Sequence, residues 1–539
     1  MSQTSPPTPL SKSLPRWERS FSLLAWPPLS TWKTLASGLT LFGLFFAFLM
    51  AVQFATPHLV GNDGYYHIKL AYLMQTEGLK PAFPWLPLTI LNAESFVDHH
   101  FLYHVLLIPF TYGDLIQGGK LASAFYPALT FLTVWWLLRG QRVPLAGIWS
   151  LGLLAISEAF IYRMNMPRAQ SLSLAVLVLA LHFLLTGKHR WMLPLAFLYV
   201  WLYNAFPLIL VFAGLYTLAE LLLHRRLVWQ PLVYTSAGLL LGLILNPYFP
   251  DNLTFIYHHL APKLLNPTEA TRVGSEWYPY DTGQLLENSG LALLMLAGGI
   301  FGLGLRGRRM DVKTATALFL ALFNTYLLFQ SRRFIEYFPA FALIFAAIAL
   351  TPTLKTWWDS LTATPATILP DRALFSPILH GLLTGAFSLA LLLAIYFNLQ
   401  ASQKTFADVR SSERFQEASA WLAAHTPAGA RVFHTDWDDF TWLFFHNSHN
   451  TYLTGLDPTY MQIYNAELYD LWVEITQGDI ETPSHLITET FGAQYVITDL
   501  GHKDFLAQAA NDPQMEEVFR DEYAVVFQIV TVSTQNSFE

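Results

Sequence analysis

The chain contains no cysteine. Disulfides, thiolate nucleophiles and cysteine-held metals are therefore excluded at the outset. Charge is also scarce: Asp, Glu, Lys and Arg make up 13% of the 539 residues, against about a quarter in a soluble protein. Apolar residues take their place. They form 53% of the chain, and the mean hydropathy is +0.36. Apolar runs near 20 residues recur, the length at which a helix crosses a bilayer core. The composition predicts a polytopic membrane protein. The net charge of −7 is modest, and Lys and Arg fall in short clusters between apolar runs. Such clusters report topology and give no sign of a nucleic-acid partner.

Residues 1–30 are rich in Pro and Ser and read as a cytoplasmic tail without a cleavable signal peptide. Residues 31–400 read as a transmembrane domain of about 11–13 spans, two or so of them uncertain in the apolar pattern. Eleven spans are expected near 32–56, 116–138, 143–161, 169–187, 191–205, 206–223, 230–248, 289–305, 313–330, 335–351 and 374–398. Two large external loops, 57–115 and 249–288, interrupt them. Residues 401–539 are more charged and carry soluble-type patterning. They read as an external α/β domain with a helix at 412–425 and strands at 430–435, 493–499 and 523–530.

Basic residues orient the domain. Lys12, Arg16, Arg19 and Lys33 place the N-terminus inside. Arg139 with Arg142, Lys188 with Arg190, Arg225 with Arg226, and Arg306 with Arg308 and Arg309 then fall at alternate, inner loops. The outer face receives 57–115, the 162–168 turn, the 204–206 turn, 249–288, the 331–334 turn and the C-terminal domain.

Those outer segments carry the polar chemistry. The first has Asp63, Tyr66, His67, Asp98, His99, His100 and His104; the 162–168 turn has Arg163 and Arg168. The 249–288 loop has His258, His259, Glu269, Arg272, Glu276 and Trp277, and the 331–334 turn has Arg332 and Arg333. Paired arginines at this depth need an anionic partner. A phosphate is one, and the guanidinium fork fits it. Carboxylates and imidazoles on the same face can hold a hard divalent cation, Mg²⁺ or Mn²⁺. Each residue also has a plainer reading. A lone Asp after a span commonly caps a helix, loop histidines are mostly structural, a Glu-Trp pair anchors at the interface, and Arg332-Arg333 can pair with Glu336. The plainer readings do not require all of them to share one face.

The string Gly61-Asn62-Asp63-Gly64-Tyr65-Tyr66-His67-Ile68-Lys69-Leu70-Ala71 resembles the first external-loop motif of oligosaccharyltransferase catalytic subunits. These belong to the GT-C superfamily of polyprenyl-phosphate-dependent glycosyltransferases. Val273-Gly274-Ser275-Glu276-Trp277 is similar to that family's short loop motif ending in Glu, and Arg332-Arg333-Phe334 to its late external arginine. The resemblance implies that Asp63 binds a catalytic metal and the acceptor, that Glu276 engages the acceptor, and that Arg332 or Arg333 holds donor phosphate. Three departures stand out. Gly64 replaces the usual Pro. No carboxylate lies in 163–170, where the family has an acidic pair. The Trp-Trp-Asp-Tyr-Gly signature that reads a glycosylation sequon is missing; its nearest analogue is Thr435-Asp436-Trp437-Asp438-Asp439-Phe440.

The expected activity is transfer of a sugar or oligosaccharide from a polyprenyl-(di)phosphate donor to a protein, lipid or glycan acceptor. Its expected place is the external face of a prokaryotic inner membrane. Asp63 and Glu276 are the expected catalytic residues, and Asp63, Asp98 and His100 the expected metal ligands. Arg163, Arg168, Arg332 and Arg333 are expected to bind phosphate. Tyr66, His67, Trp277, Trp437 and Asp438 are expected on the acceptor side. Transfer of a single sugar to a lipid or polysaccharide is the alternative. A transporter or flippase of lipid-linked sugars is a second one, but it would place polar residues at the midplane of repeated, broken helices, and no internal repeat is evident.

Overall fold

The computed structural model describes residues 29–265, 275–305, 310–362 and 375–530. The tail up to residue 28, the basic cluster Arg306-Arg308-Arg309, Glu269, Arg272, Val273 and Gly274 lie outside the described residues.

Six helices among the described residues are long and apolar enough to cross a membrane. They are Trp32–Gln53, Leu115–Gly140, Thr282–Leu305, Val312–Gln330, Phe338–Thr356 and Gly381–Ala407. The count falls short of the eleven expected spans because the apolar runs between 143 and 248 are broken. The 143–161 run divides into Ala146–Leu151, a 3-10 turn at Gly152–Ala155 and a helix α3 at Glu158–Asn165. The next helix, α4 at Gln170–Leu185, leaves α3 at 101°. Pro167 sits between them; it cannot donate to a continuing helix and disfavours helical geometry in the residue before it. Counted as one bent span, the pair makes seven. Met192–Leu202, Leu208–His224 and Gln230–Ile244 are shorter than the other runs suggested. Pro207 and the Asn246-Pro247 pair interrupt the apolar pattern there. The Gly381–Ala407 helix leaves Leu382, Phe387, Leu392 and Phe397 exposed. A contiguous apolar flank of this kind suits contact with lipid tails.

The first loop is folded rather than extended. It contains helix α1 at Asp63–Glu77 and helix α2 at Phe101–Leu107, numbered in chain order ahead of α3 and α4. Its middle section reaches the C-terminal domain. Trp85 Nε1 donates to the Ser448 carbonyl at 2.8 Å, and the Tyr452 amide donates to the Trp85 carbonyl at 2.8 Å.

The C-terminal domain is an α/β unit around a five-stranded mixed sheet. The strands are β1 Arg431–His434, β2 Thr451–Tyr452, β3 Tyr495–Asp499, β4 Met515–Arg520 and β5 Ala524–Ile529, in the order β2-β1-β3-β5-β4. β1 runs parallel to β2 and β3, while β5 is antiparallel to β3 and β4. The sequence pattern shows β1, β3 and β5. It misses β2, which is two residues long, and β4, whose Glu516 and Glu517 are solvent-facing. The helix expected from 412 begins at Gln416 instead. Phe415, at φ +61°, interrupts helical geometry just before it. Helix α5, Phe440–His446, follows β1 and packs on α1. There Trp442 lies with its ring 5.3 Å from that of Tyr65 and Phe445 5.4 Å from it.

Candidate active site

Asp63 opens helix α1, and His67 follows one turn later on the same face. The turn between α3 and α4 meets this helix start closely. A Cβ on Gly64 would stand 2.2 Å from Pro167 Cγ, and one on Gly61 would stand 2.6 Å from Met166 Cε. At position 64 the proline ring leaves room for glycine alone. The contact also brings Arg168, the next residue of the turn, to Asp63: Arg168 Nη2 lies 2.9 Å from Asp63 Oδ2.

From there an ion network runs across this end of the helices. Glu276, on a 3-10 turn at Ser275–Trp277, is its centre. Its Oε2 lies 2.7 Å from Arg163 Nη1 and 3.5 Å from Arg168 Nη1; its Oε1 lies 2.6 Å from Arg333 Nη1. Arg163 Nη2 continues to Glu336 Oε2 at 3.0 Å, and Arg333 Nη2 donates to the Tyr203 hydroxyl at 2.7 Å. Arg333 also lies over the Trp277 ring at 4.9 Å. Burial alone would raise the pKa of Glu276, but Arg333, Arg163 and Arg168 outweigh it and hold the carboxyl well below its usual range.

These side chains line a cavity of about 620 Å³, within the range of ligand sites. Asp63, Tyr66, His67, His100, Arg163, Arg168, Glu276, Trp277, Arg333, Trp437 and Asp438 all face it. The C-terminal domain closes one side with Trp437, Asp438 and Tyr460. Asp438 is pushed up to about 6 by its burial, then by the charges of Asp436 and Asp63. His259 ties the 249–288 loop to that wall, its Nδ1 2.9 Å from the Tyr460 hydroxyl and its Nε2 2.9 Å from Asn204 Nδ2.

Two expected site residues stand elsewhere. Arg332 turns away and donates to the Tyr278 and Pro279 carbonyls at 3.3 and 3.2 Å. Its neighbour Arg333 alone enters the cavity, because successive residues of a 3-10 turn point in different directions. Asp98 is 2% exposed and sits behind the cavity wall. One of its oxygens takes His104 Nδ1 at 2.7 Å and the other the His100 backbone N–H at 3.0 Å. The expected metal set of Asp63, Asp98 and His100 is thus not assembled. Among the described residues no group of three or more His, Asp or Glu is arranged to hold a metal ion. Of the three expected ligands, Asp63 and His100 face the cavity and Asp98 does not.

Sequence reasoning missed Glu336 as the second partner of Arg163 and assigned it to the adjacent arginines. Its signal was an acid directly before a long apolar run, a position at which an unpaired charge is costly. Tyr203, His259 and Tyr460 carried no motif.

No protein-family model matches the sequence, and no curated protein sequence matches it. Solved structures do match in fold. An apo oligosaccharyltransferase from Archaeoglobus fulgidus superposes with a TM-score of 0.64 at 14% identity, covering 88% of this chain and 71% of that one. ArnT from Cupriavidus metallidurans bound to undecaprenyl phosphate gives 0.53 at 18%, covering 92% and 98%. The mycobacterial arabinofuranosyltransferase AftD gives 0.51 at 13%, covering 91% of this chain and 40% of its own. The archaeal enzyme is also known in complex with an inhibitory peptide and a dolichol-phosphate, and with Zn and sulfate. These neighbours are glycosyltransferases, and the chain described here carries the GT-C membrane fold that they share.

Proposed function

We propose that the protein transfers a sugar from a polyprenyl-phosphate donor to an acceptor on the extracytoplasmic face of the membrane. One observation carries the reading: Asp63, Arg168, Glu276, Arg163 and Arg333 come from four separate segments and meet in one cavity. Lipid-phosphate complexes of two neighbours support the donor class.

In this reading Arg163, Arg168 and Arg333 receive the donor phosphate. Three guanidinium groups face three carboxylates, those of Asp63, Glu276 and Glu336. A phosphate must therefore compete for arginines already in use. Glu276, shared by all three, is the carboxylate it displaces in part. The acceptor nucleophile attacks the anomeric carbon, the carbon–oxygen bond to phosphate breaks, and its electron pair leaves on the phosphate. The arginines stabilise that developing charge. Asp63 keeps one carboxylate oxygen clear of Arg168 and orients the acceptor. Glu276 is too weak a base for proton removal, given the three arginines beside it. Its role is to hold the arginines. The acceptor proton goes to Asp438, whose carboxyl burial and the charges of Asp436 and Asp63 raise to about 6.

The test is transfer from radiolabelled undecaprenyl-phosphate sugars by the purified protein in detergent. Asp63→Ala is expected to lose transfer by about 100-fold or more, on the scale of removing a positioned polar catalytic group, with an unchanged thermal midpoint. Full activity in Asp63→Ala overturns the reading. A sequon peptide, a lipid and a polysaccharide offered side by side identify the acceptor. The missing sequon signature favours the lipid or polysaccharide.

A further inference from the structure

Behind the cavity lies a hydrogen-bonded chain that the transfer reaction leaves without a role. His67 Nδ1 is 2.7 Å from His104 Nε2, and His104 Nδ1 is 2.7 Å from Asp98 Oδ2. The three residues are 4%, 0% and 2% exposed. Asp98 and His104 do not touch the cavity, whereas the His67 ring lines it. Both Asp98 oxygens accept, from His104 and from the His100 amide. With His104 in its neutral form, a carboxylate that only accepts sets the direction of the chain. Neutral His104 carries its proton on Nδ1, so its Nε2 accepts. His67 then donates from Nδ1, and its Nε2 is left as a bare lone pair. Among the described residues no protein group takes that nitrogen.

We propose that Asp98 and His104 fix the tautomer of His67, so that His67 Nε2 meets the substrate as a neutral acceptor for a hydroxyl group. The inference rests on the glycosyl-transfer reading. A lone pair repels a phosphate oxygen and pairs with an O–H. The cavity is accordingly divided. Arg163, Arg168 and Arg333 form a cationic wall for phosphate, and His67 with His100 forms an uncharged wall for hydroxyls. Burial supports the division, since it holds both His67 and His100 well below the usual histidine range. His67 also follows Asp63 by one turn of α1, which sets the hydroxyl beside the orienting carboxylate. Asp98 and His104 are positioning residues, and His67 is the group that touches substrate.

Asp98→Asn tests this, because it keeps shape and inverts the chain. An Asn amide that donates to His104 Nδ1 moves the His104 proton to Nε2 and the His67 proton to its own Nε2. Nitrogen-15 spectra of histidine-labelled protein, assigned with His67→Phe, are expected to show His67 protonated on Nδ1 in the wild type and on Nε2 in Asp98→Asn. Undecaprenyl phosphate alone is expected to bind wild type, Asp98→Asn and His67→Phe equally. The extra affinity conferred by a sugar, read with undecaprenyl-phosphate glucose, mannose and N-acetylglucosamine, is expected to fall about 10-fold or more in both variants, the size of one lost hydrogen bond with a polar group left unpaired. If instead the acceptor KM alone rises by that factor, the hydroxyl belongs to the acceptor, and the tautomer chain stands. A doubly protonated His104, a wild-type His67 with its proton on Nε2, or unchanged sugar affinity and KM in both variants overturns the inference. Absence of transfer by the wild type with every donor overturns the underlying reading and leaves the spectroscopic result to be judged alone.

Discussion

At the scale of single residues, the cavity holds two carboxylates with opposite tuning. Glu276 is pinned in its ionised form by arginines, while Asp438 is lifted to about 6 by burial and by its acidic neighbours. A raised carboxyl is protonated below its folded value and ionised above it. Transfer that needs ionised Asp438 should therefore rise as pH passes through about 6 and level off above. The rising limb should vanish in Asp438→Asn, which a pH series of kcat/KM checks. Stability has the opposite sense. The fold disfavours the ionised form, so between the unfolded value near 3.8 and about 6 the protein loses stability as pH rises. Asp438→Asn should flatten that part of a plot of Tm against pH. Motif residues were legible at this scale because each is a chemical type at a recognisable spacing. Asp63, Glu276 and Arg333 face one cavity. Asp98 misled for a definite reason. Asp98-His99-His100 reads as a ligand run, yet its carboxylate turns to His104, one helical turn beyond His100. Sequence spacing does not reveal which way such a carboxylate turns.

At the scale of elements, the network joins α1, the α3–α4 turn and two 3-10 turns through charge. Removing its central anion leaves three arginines short of a partner. Glu276→Gln should lower the stability of the ligand-free protein by about 2–4 kcal/mol, given that a broken, largely buried pair costs about 3–5 and this carboxylate keeps some solvent contact. The same variant should bind undecaprenyl phosphate more tightly, because the phosphate no longer competes with a carboxylate. Thermal unfolding with and without the lipid checks both signs. Gly64→Ala should push the Pro167 turn away from α1, and overpacking of this kind costs about 1–3 kcal/mol. Transfer should fall with it as Arg168 leaves Asp63. Breaks in the helices were the least legible feature. Run length marks an apolar segment, but a bend such as that around Pro167 is set by how its two halves pack, and 101° cannot be read from composition.

At the scale of the whole molecule, the C-terminal domain completes the site rather than decorating it. It adds Trp437, Asp438 and Tyr460 to the cavity and is held to the membrane domain by α5 on α1. Trp442 is 1% exposed and packs on Tyr65. Trp442→Ala should cost about 3–5 kcal/mol. It should also loosen the domain, so that limited proteolysis cuts sooner in the 408–415 connection and transfer drops although every cavity residue is intact. The two-part organisation was legible in the change of composition near residue 400. The docking was not, because Tyr65, Trp85 and Trp442 look like ordinary aromatic residues until the chain closes on them.

The meeting of Gly64 with Pro167 has a consequence for descent. The start of α1 and the α3–α4 turn, more than 100 positions apart, share one volume of a few atoms, so neither can drift alone. A lineage that places a larger residue at 64 must first shrink or withdraw 167, and its Arg168 will then need another route to Asp63. Gly64→Ala combined with Pro167→Ala should recover part of what Gly64→Ala loses. Related chains should vary at these positions together, as a matched pair.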